Sequence, residues 1–407
     1  LSITGQAPIA LRGDVVQPGA GSLTISGQAP SITSDVVVNP GAGSVSVQGY
    51  APVVGVGIVV PAGSLTATGQ TPTALVNAIV QPGTGTLVIA GQAPVVLRGS
   101  VVTPDAGSLT IQGQAPSLER GVGVGAGSIT ITGYAPTVLV NHIVQPGVGT
   151  AVISGQAPSV ASDLTIGAGQ IVVQGYAPNA VVNVFAQPGA GSATFSGHAP
   201  VVVRGQVIDV PAGSLTVTGQ APTDVLGVVA QPGAGSLVIT CQAPTALVNH
   251  LVQPGSGSLV ITGQAPSIAG TSTYQPEVGT VTAQGYAPIV AIGVGVPAGS
   301  LSATGQNPAT VVGFIEQPGQ GAISVQGYAP TLVIAQIEQP DSGAVTITGH
   351  APTALVSTPG NTNYAPDAGS ITVTGYGPTL ALTMPVPAGS VAVTGYAPSA
   401  VVGRFAS

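Results

Sequence analysis

The chain has 407 residues but only five basic and 12 acidic side chains, so its formal net charge is −7. Five arginines are too few for a basic surface that binds nucleic acid, and the chain is poor in the side chains that most enzymes use for catalysis. Its apolar runs also stop well short of the roughly 18 residues of a membrane-spanning helix. We therefore expect no nucleic-acid partner, no membrane span, no enzymatic activity and no cofactor.

A tetrad of the form Gly-(Gln, Tyr or His)-Ala-Pro, with small variations, recurs 19 times along the chain. Twelve of the intervals between tetrads are 22 residues, five are 20 and one is 26, so every interval is even. Because side chains on a strand alternate between two faces, an even insertion keeps the apolar set on one face. A helical repeat has no such preference for even numbers. The spacing therefore predicts an array of β-strands.

The five residues before each tetrad alternate between polar and apolar, as in 22–26 and 128–132. Their second and fourth residues are apolar in nearly every unit, whereas the first, third and fifth are mostly Ser, Thr or Gln. This alternation is typical of a half-buried strand. We expect one face of this strand to line a core and the other to present hydroxyl groups.

A second apolar segment follows the tetrad proline, as in 137–144. The fifth residue after the proline is Gly, Asn or Asp in 15 of the 19 units, and these residues adopt positive φ at low cost. We expect a bend or bulge at this position that divides the segment into two short strands. A further turn follows at Gln-Pro-Gly-Ala-Gly, as in 17–21, or at a shorter Pro-Ala-Gly, as in 61–63.

Three short strands in 20–22 residues cannot bury an apolar face alone, but stacked neighbours can share a core. The predicted fold is an all-β, tandem-repeat β-solenoid of about 19 coils with three short strands each. An interchain β-fibre and a string of small β-sandwich units are the alternatives. We expect residues 1–407 to form a single continuous repeat array, an excerpt of a longer one, with an inserted loop at 357–366 in the 26-residue unit.

Three sets of side chains are candidates for binding contacts. Tyrosines at the second tetrad position predict a stacked edge that contacts another filament or a sugar, namely Tyr50, Tyr134, Tyr176, Tyr286, Tyr328, Tyr376 and Tyr396. Threonine pairs predict an outward hydroxyl face, formed by Thr66, Thr68, Thr130, Thr132, Thr216 and Thr218. Glu316 and Glu338 hold the same place in neighbouring units, which predicts either a cation site or two solvated carboxylates about 5 Å apart.

Units such as 18–31 and 232–245 contain Pro-Gly-Ala-Gly-Ser-Leu, which leads through an alternating strand to the tetrad. In this they resemble the Gly/Ala/Pro-rich tandem repeats of phage virion and extracellular fibre proteins. The resemblance covers the whole chain and implies a structural role outside the cell or on a virion surface. It implies no catalytic residues.

The predicted function is that of a structural protein which forms or extends an extracellular filament or virion fibre through stacked β repeats. Its expected partners are copies of itself, joined end to end or laterally, because so few charges give little mutual repulsion. The dense Ser and Thr residues are also candidates for O-linked glycans. The alternative function is a surface adhesin or a glycan- or ice-binding repeat rod that uses the Ser/Thr face or the Tyr edge.

Overall fold

The computed structural model describes the tetrads and the strands on either side of them, and within these residues it contains strands and turns but no helix. The described residues are 2–6, 8–10, 20–32, 42–55, 59–60, 63–75, 81–82, 84–97, 107–119, 127–140, 149–163, 169–184, 191–204, 208–209, 214–220, 223–226, 230–231, 234–242, 245–248, 256–270, 280–292, 300–312, 315–316, 322–334, 337–338, 344–356, 370–382 and 390–402.

The chain divides into two compact units, Leu1–Val201 and Val202–Ser407. In each unit the segment before the tetrad forms the first strand of every coil. In the first unit these strands are Ser2–Thr4, Ser22–Gly27, Ser44–Gly49, Ser64–Thr68, Thr86–Ala90, Ser108–Gln112, Ser128–Thr132, Thr150–Gly155, Gln170–Gly175 and Ser192–Ser196. In the second unit they are Ser214–Gly219, Ser236–Cys241, Ser258–Thr262, Thr280–Gln284, Ser300–Thr304, Ala322–Gly327, Ala344–Gly349, Ser370–Gly375 and Ser390–Gly395.

The segment after the tetrad proline forms the second strand of each coil. The first ten are Ile9–Ala10, Ser31–Ile32, Val53–Gly55, Thr73–Leu75, Val95–Leu97, Ser117–Glu119, Thr137–Val140, Ser159–Asp163, Asn179–Val184 and Val201–Arg204, the last of which contains the boundary between the units. The other nine are Thr223–Leu226, Thr245–Val248, Ser267–Gly270, Ile289–Ile292, Ala309–Val312, Thr331–Ile334, Thr353–Val356, Thr379–Leu382 and Ser399–Val402.

Within each unit, strands pair in parallel with the equivalent strand of the next coil. Leu87 is the register partner of Leu65 on one side and of Leu109 on the other, for example. Second strands pair in the same way, so that Val333 lies between Val311 and Leu355. Equivalent strands of consecutive repeats would not pair within one chain in an interchain fibre or in a string of separate sandwiches. The predicted β-solenoid is confirmed.

The number of turns in one stack differs from the prediction. The first unit contains ten coils and the second nine, so a stack has about ten turns rather than about 19. The expectation of one continuous array over residues 1–407 stays a prediction. The expected loop at 357–366 lies outside the described residues.

A third strand is described in six coils, and these strands form three parallel pairs. They are Val59–Val60 with Gln81–Pro82, Ile208–Asp209 with Ala230–Gln231, and Ile315–Glu316 with Ile337–Glu338. The predicted bulge at the fifth residue after the proline is present in one second strand. There the register shifts between Ala161 and Asp163, and Asp163 is the partner of Val184.

The core of each coil follows the alternation of the sequence. In Ser108–Gln112, Leu109 and Ile111 are buried, whereas Gln112 is exposed. In Thr331–Ile334, Leu332 and Ile334 are fully buried and the side chains between them face outward. The inward Leu, Ile and Val side chains thus lie between the two sheets and stack on their equivalents in the next coil.

Candidate functional site

The tetrad turn of each coil lies directly on the turn of the preceding coil. The backbone N–H groups of Gln92 and Ala93 both donate to the carbonyl oxygen of Gln70, at 2.7 and 3.0 Å. The N–H of Val95 donates to the carbonyl oxygen of Pro72 at 3.0 Å. These bonds recur from coil to coil and carry the sheet ladder through the turn. The side chain of the second tetrad residue is therefore held at the strand spacing of about 4.8 Å.

The first tetrad residue is glycine because consecutive turns are too close together for a side chain. A Cβ atom on Gly91 would collide with the carbonyl oxygen of Gly69 and would lie 2.5 Å from Cδ of Pro72. None of the described tetrad glycines has φ in the left-handed region, so close approach rather than backbone conformation requires glycine. By contrast, a Cβ atom on Gly377, the third residue of its tetrad, would have no atom within 4 Å.

Cys241 is the one residue with a side chain at the first tetrad position. Its backbone is the register partner of Gly219 in the preceding coil. Next to it, the N–H of Gln242 donates to the carbonyl oxygen of Gln220 at 3.1 Å, the longest of the described bonds between second tetrad residues. The corresponding bond in the following coil, from Gln264 to Gln242, is 2.7 Å. The ladder bond beside Cys241 is thus retained.

Aromatic rings at the second tetrad position stack wherever consecutive coils supply them. In the second unit, Tyr328, His350, Tyr376 and Tyr396 form one continuous stack with centroid distances of 4.8, 5.0 and 5.1 Å. The interplanar angles in this stack are 8°, 17° and 8°. In the first unit, Tyr176 and His198 stack at 4.8 Å. The stacked edge expected from the sequence is therefore present at these coils.

The stacking decides which part of each ring is accessible. Tyr376 is 57% exposed, although His350 covers one face of its ring and Tyr396 covers the other. The accessible part is thus the ring edge and the hydroxyl group. A sugar that packs on an aromatic face would find both faces of Tyr376 occupied, so the edge favours hydrogen bonding through tyrosine hydroxyl groups and the imidazole of His350.

The remaining predicted tyrosines, Tyr50, Tyr134 and Tyr286, are exposed to a similar extent. In their case the second tetrad residue of both neighbouring coils is glutamine. The N–H of Gln70, for example, donates to the carbonyl oxygen of Tyr50 at 2.8 Å. These tyrosines hold the same place in the turn but lie outside the ring stacks. Contact of this edge with another filament or a sugar stays a prediction.

The predicted threonine face lies on the outer side of the first sheet, where its side chains are half-buried. The residues concerned are Thr66, Thr68, Thr130, Thr132, Thr216 and Thr218. Along the axis, Thr130 has Thr110 on one side and Val152 on the other. The outward rows therefore mix threonine with valine, and the hydroxyl surface is interrupted.

At several places hydroxyl groups of neighbouring coils form hydrogen bonds along the axis. Thr262 Oγ1 donates to Thr240 Oγ1 at 3.1 Å. Thr374 Oγ1 and Thr394 Oγ1 are 3.0 Å apart. On the second sheet, Ser399 Oγ donates to Thr379 Oγ1 at 3.2 Å. These pairs stabilise the stack and leave the remaining hydroxyl capacity facing outward.

Glu316 and Glu338 lie where the sequence predicts, at equivalent places in neighbouring coils. Their two-residue strands pair in parallel, and the two glutamates are register partners. In the part of the chain that the structure describes, no group of three or more His, Cys, Asp or Glu residues could hold a metal ion. Cation binding by this pair stays a prediction.

The structure also shows an outward apolar row that the sequence interpretation missed. It is formed by the third residue after the tetrad proline in the last five coils of the second unit, and we call it the apolar row. Val311 and Leu355 are both 43% exposed, and Val333 between them is half-buried. A signal was present, since the third residue after the tetrad proline is Val, Leu or Ala in all five of these coils. The members of the row are Val311, Val333, Leu355, Ala381 and Val401.

Comparison with protein-family models, with curated proteins and with solved structures finds no match to this chain. Its resemblance to repeat fibre proteins therefore stays a prediction. Over the ranges given above, the structure contains no helix that is long and apolar enough to cross a membrane. The stacked edge, the threonine face and the apolar row are therefore characterised by their geometry alone.

Proposed function

We propose that this chain is a structural protein that forms or extends an extracellular filament or a virion fibre through stacked β repeats. The observation that carries the proposal is that every described coil makes its contacts with the coils before and after it. The sheet ladders, the tetrad turns and the ring stacks all run along the stacking axis. Such a protein is built to extend in one direction rather than to enclose a site.

The surface chemistry supports the same proposal. The outward positions carry mainly Ser, Thr, Gln and apolar residues, and the whole chain has only 17 charged side chains. A scarcity of the acids and bases that would activate a hydroxyl nucleophile gives little means for catalysis, so we propose no enzymatic role. Low charge lets copies of the chain approach one another, which a fibre requires.

The test is to locate the protein in its source. Antibodies raised against the chain would be used for immunogold electron microscopy of intact cells and of purified virions. We expect gold particles to follow filaments or fibres at the surface. Labelling confined to the cell interior, or to compact particles without filaments, would contradict the proposal.

A second candidate function is a surface adhesin or a glycan- or ice-binding array. The observation that favours it is the set of outward hydroxyl groups held in register, such as those of Thr240 and Thr262. Replacing Thr66, Thr130 and Thr216 with tyrosine would remove the regular spacing of the first-sheet face. In glycan-array and ice-recrystallisation assays, binding by the wild type and its loss in the triple variant would support this function. No binding by the folded wild type would exclude it.

The same hydroxyl groups are our proposed attachment sites for O-linked glycans. Intact-mass spectrometry of the protein purified from its source would reveal them as mass increments of hexose or N-acetylhexosamine units. A measured mass equal to that of the unmodified polypeptide would refute this part of the proposal.

A further inference from the structure

We infer that the outer face of the second sheet, in the last five coils of the second unit, is a docking surface for a second copy of this chain. The apolar row of one copy packs against the same row of the other. This inference rests on the proposed filament function, for which it names the lateral contact. It concerns a surface different from the tyrosine edge and the threonine face.

Exposed apolar side chains form a continuous row on this face. Val311, Val333, Leu355 and Ala381 are register partners in consecutive coils, and Val401 follows in the next coil. Beside the row lies Ile289, which is 49% exposed. Single exposed apolar residues are ordinary, whereas a contiguous apolar patch marks an interaction surface.

This face also lacks charged residues. In the second unit, the first and third residues after each tetrad proline include no Asp, Glu, Lys or Arg. Two such faces meet without removing any charge from water, which would otherwise cost several kcal/mol for each ion. A strongly basic or acidic partner would find no counter-charge here. The face therefore suits an uncharged, apolar partner surface.

The face is also periodic along the stacking axis. Its side chains repeat once per coil, at about 4.8 Å along the axis. A second copy presents a row with the same period, so the side chains of one row can fit between those of the other over the full length. Sheets that pack in this way lie about 10 Å apart and interdigitate along their whole contact. A globular partner has no matching repeat.

The area of the row fits a weak association. Two outward residues cover about 14 Å of strand and one coil spans about 4.8 Å, so the five coils of the apolar row offer roughly 340 Å² per copy. Two copies would then bury about 670 Å², which is in the range of weak, transient contacts. We therefore expect a weak, concentration-dependent dimer rather than an obligate one.

The experiment is sedimentation equilibrium of the full chain over a range of concentrations. The test variant carries Val333→Lys and Leu355→Lys in two consecutive coils. The matched control carries Ser324→Lys and Thr346→Lys, which add the same charge to the same two coils on the outer face of the first sheet. We expect the wild type and the control to associate with Kd values within about threefold, and the test variant to lose at least about 100-fold in affinity, because two lysines would be desolvated.

A milder double variant, Val333→Thr and Leu355→Thr, keeps side chains that favour strands, so it should fold even if the lysine variant does not. We expect it to weaken association about tenfold, with an unchanged far-UV circular dichroism spectrum. A wild type that is monomeric throughout, or a first-sheet control that dissociates as strongly as the test variant, would overturn the inference. If immunogold labelling follows filaments while the lysine pair leaves association unchanged, the filament function stands and this docking surface is wrong.

Discussion

The close approach of tetrad turns predicts that alanine at a tetrad glycine destabilises the stack severely. In Gly349→Ala the new Cβ atom would collide with the carbonyl oxygen of Gly327 and lie 2.5 and 2.9 Å from Cδ and Cγ of Pro330. All three are backbone or ring atoms, which cannot rotate away. The clash can be relieved only if the two coils separate at this edge.

The expected loss in the free energy of unfolding has two parts, the steric clash and the weakening of nearby hydrogen bonds. Overpacking of this kind costs about 1–3 kcal/mol. Three backbone hydrogen bonds join the same two turns, to Tyr328 from His350 and Ala351 and to Pro330 from Thr353, at 2.8 to 3.0 Å. Weakening of these bonds, each worth about 1 kcal/mol, brings the expected total to about 3–5 kcal/mol.

The assay is urea unfolding followed by circular dichroism, combined with hydrogen exchange of the amides of Ala351 and Thr353. The control is Gly377→Ala in the next coil, where the added methyl group meets no atom within 4 Å and where most tetrads already have alanine. We expect Gly377→Ala to be neutral or to stabilise by about 0.4–1 kcal/mol, since it restricts the unfolded chain. Equal effects of the two substitutions would refute the argument from close approach.

Three further predictions concern single positions. Thr310 is fully buried, and its Oγ1 has no hydrogen-bond partner among the described residues. Thr310→Val should therefore raise the free energy of unfolding by about 1–2 kcal/mol in urea titrations. A loss of stability would show that the hydroxyl group is satisfied. Cys241→Gly restores glycine at the first tetrad position and should raise the midpoint temperature of thermal unfolding. A lower midpoint would contradict the reasoning. His350→Ala removes two ring contacts and should cost about 1 kcal/mol, whereas His350→Tyr should stay within about 0.5 kcal/mol. Equal losses in both His350 variants would argue against stacking.

The strand class and the inward positions could be predicted because they depend only on spacing. Even intervals between tetrads fixed the faces, and the alternation around Leu109 and Ile111 identified the core side. Stacking at the tetrad was predictable for a similar reason, since Tyr328 and His350 hold one register position in consecutive repeats.

Other features depended on distances that a sequence does not contain. The tetrad glycine is required by the carbonyl oxygen of the previous coil, which is about 20 residues away in sequence. The apolar row was hidden because strands of parallel sheets read as continuous apolar runs, so Leu332, Val333 and Ile334 look alike although only Val333 faces outward. The division into two compact units at Val201 has no counterpart in the repeat pattern.

The fit of each tetrad glycine against the glycine and proline of the preceding coil has a consequence for how such a chain can change during evolution. Any coil that contains this tetrad presents the same surface to the next one. Whole repeats can therefore be duplicated or deleted without creating a new kind of contact. Each duplication would lengthen a stack by about 4.8 Å, so the number of repeats encoded in the gene sets the length of the stack.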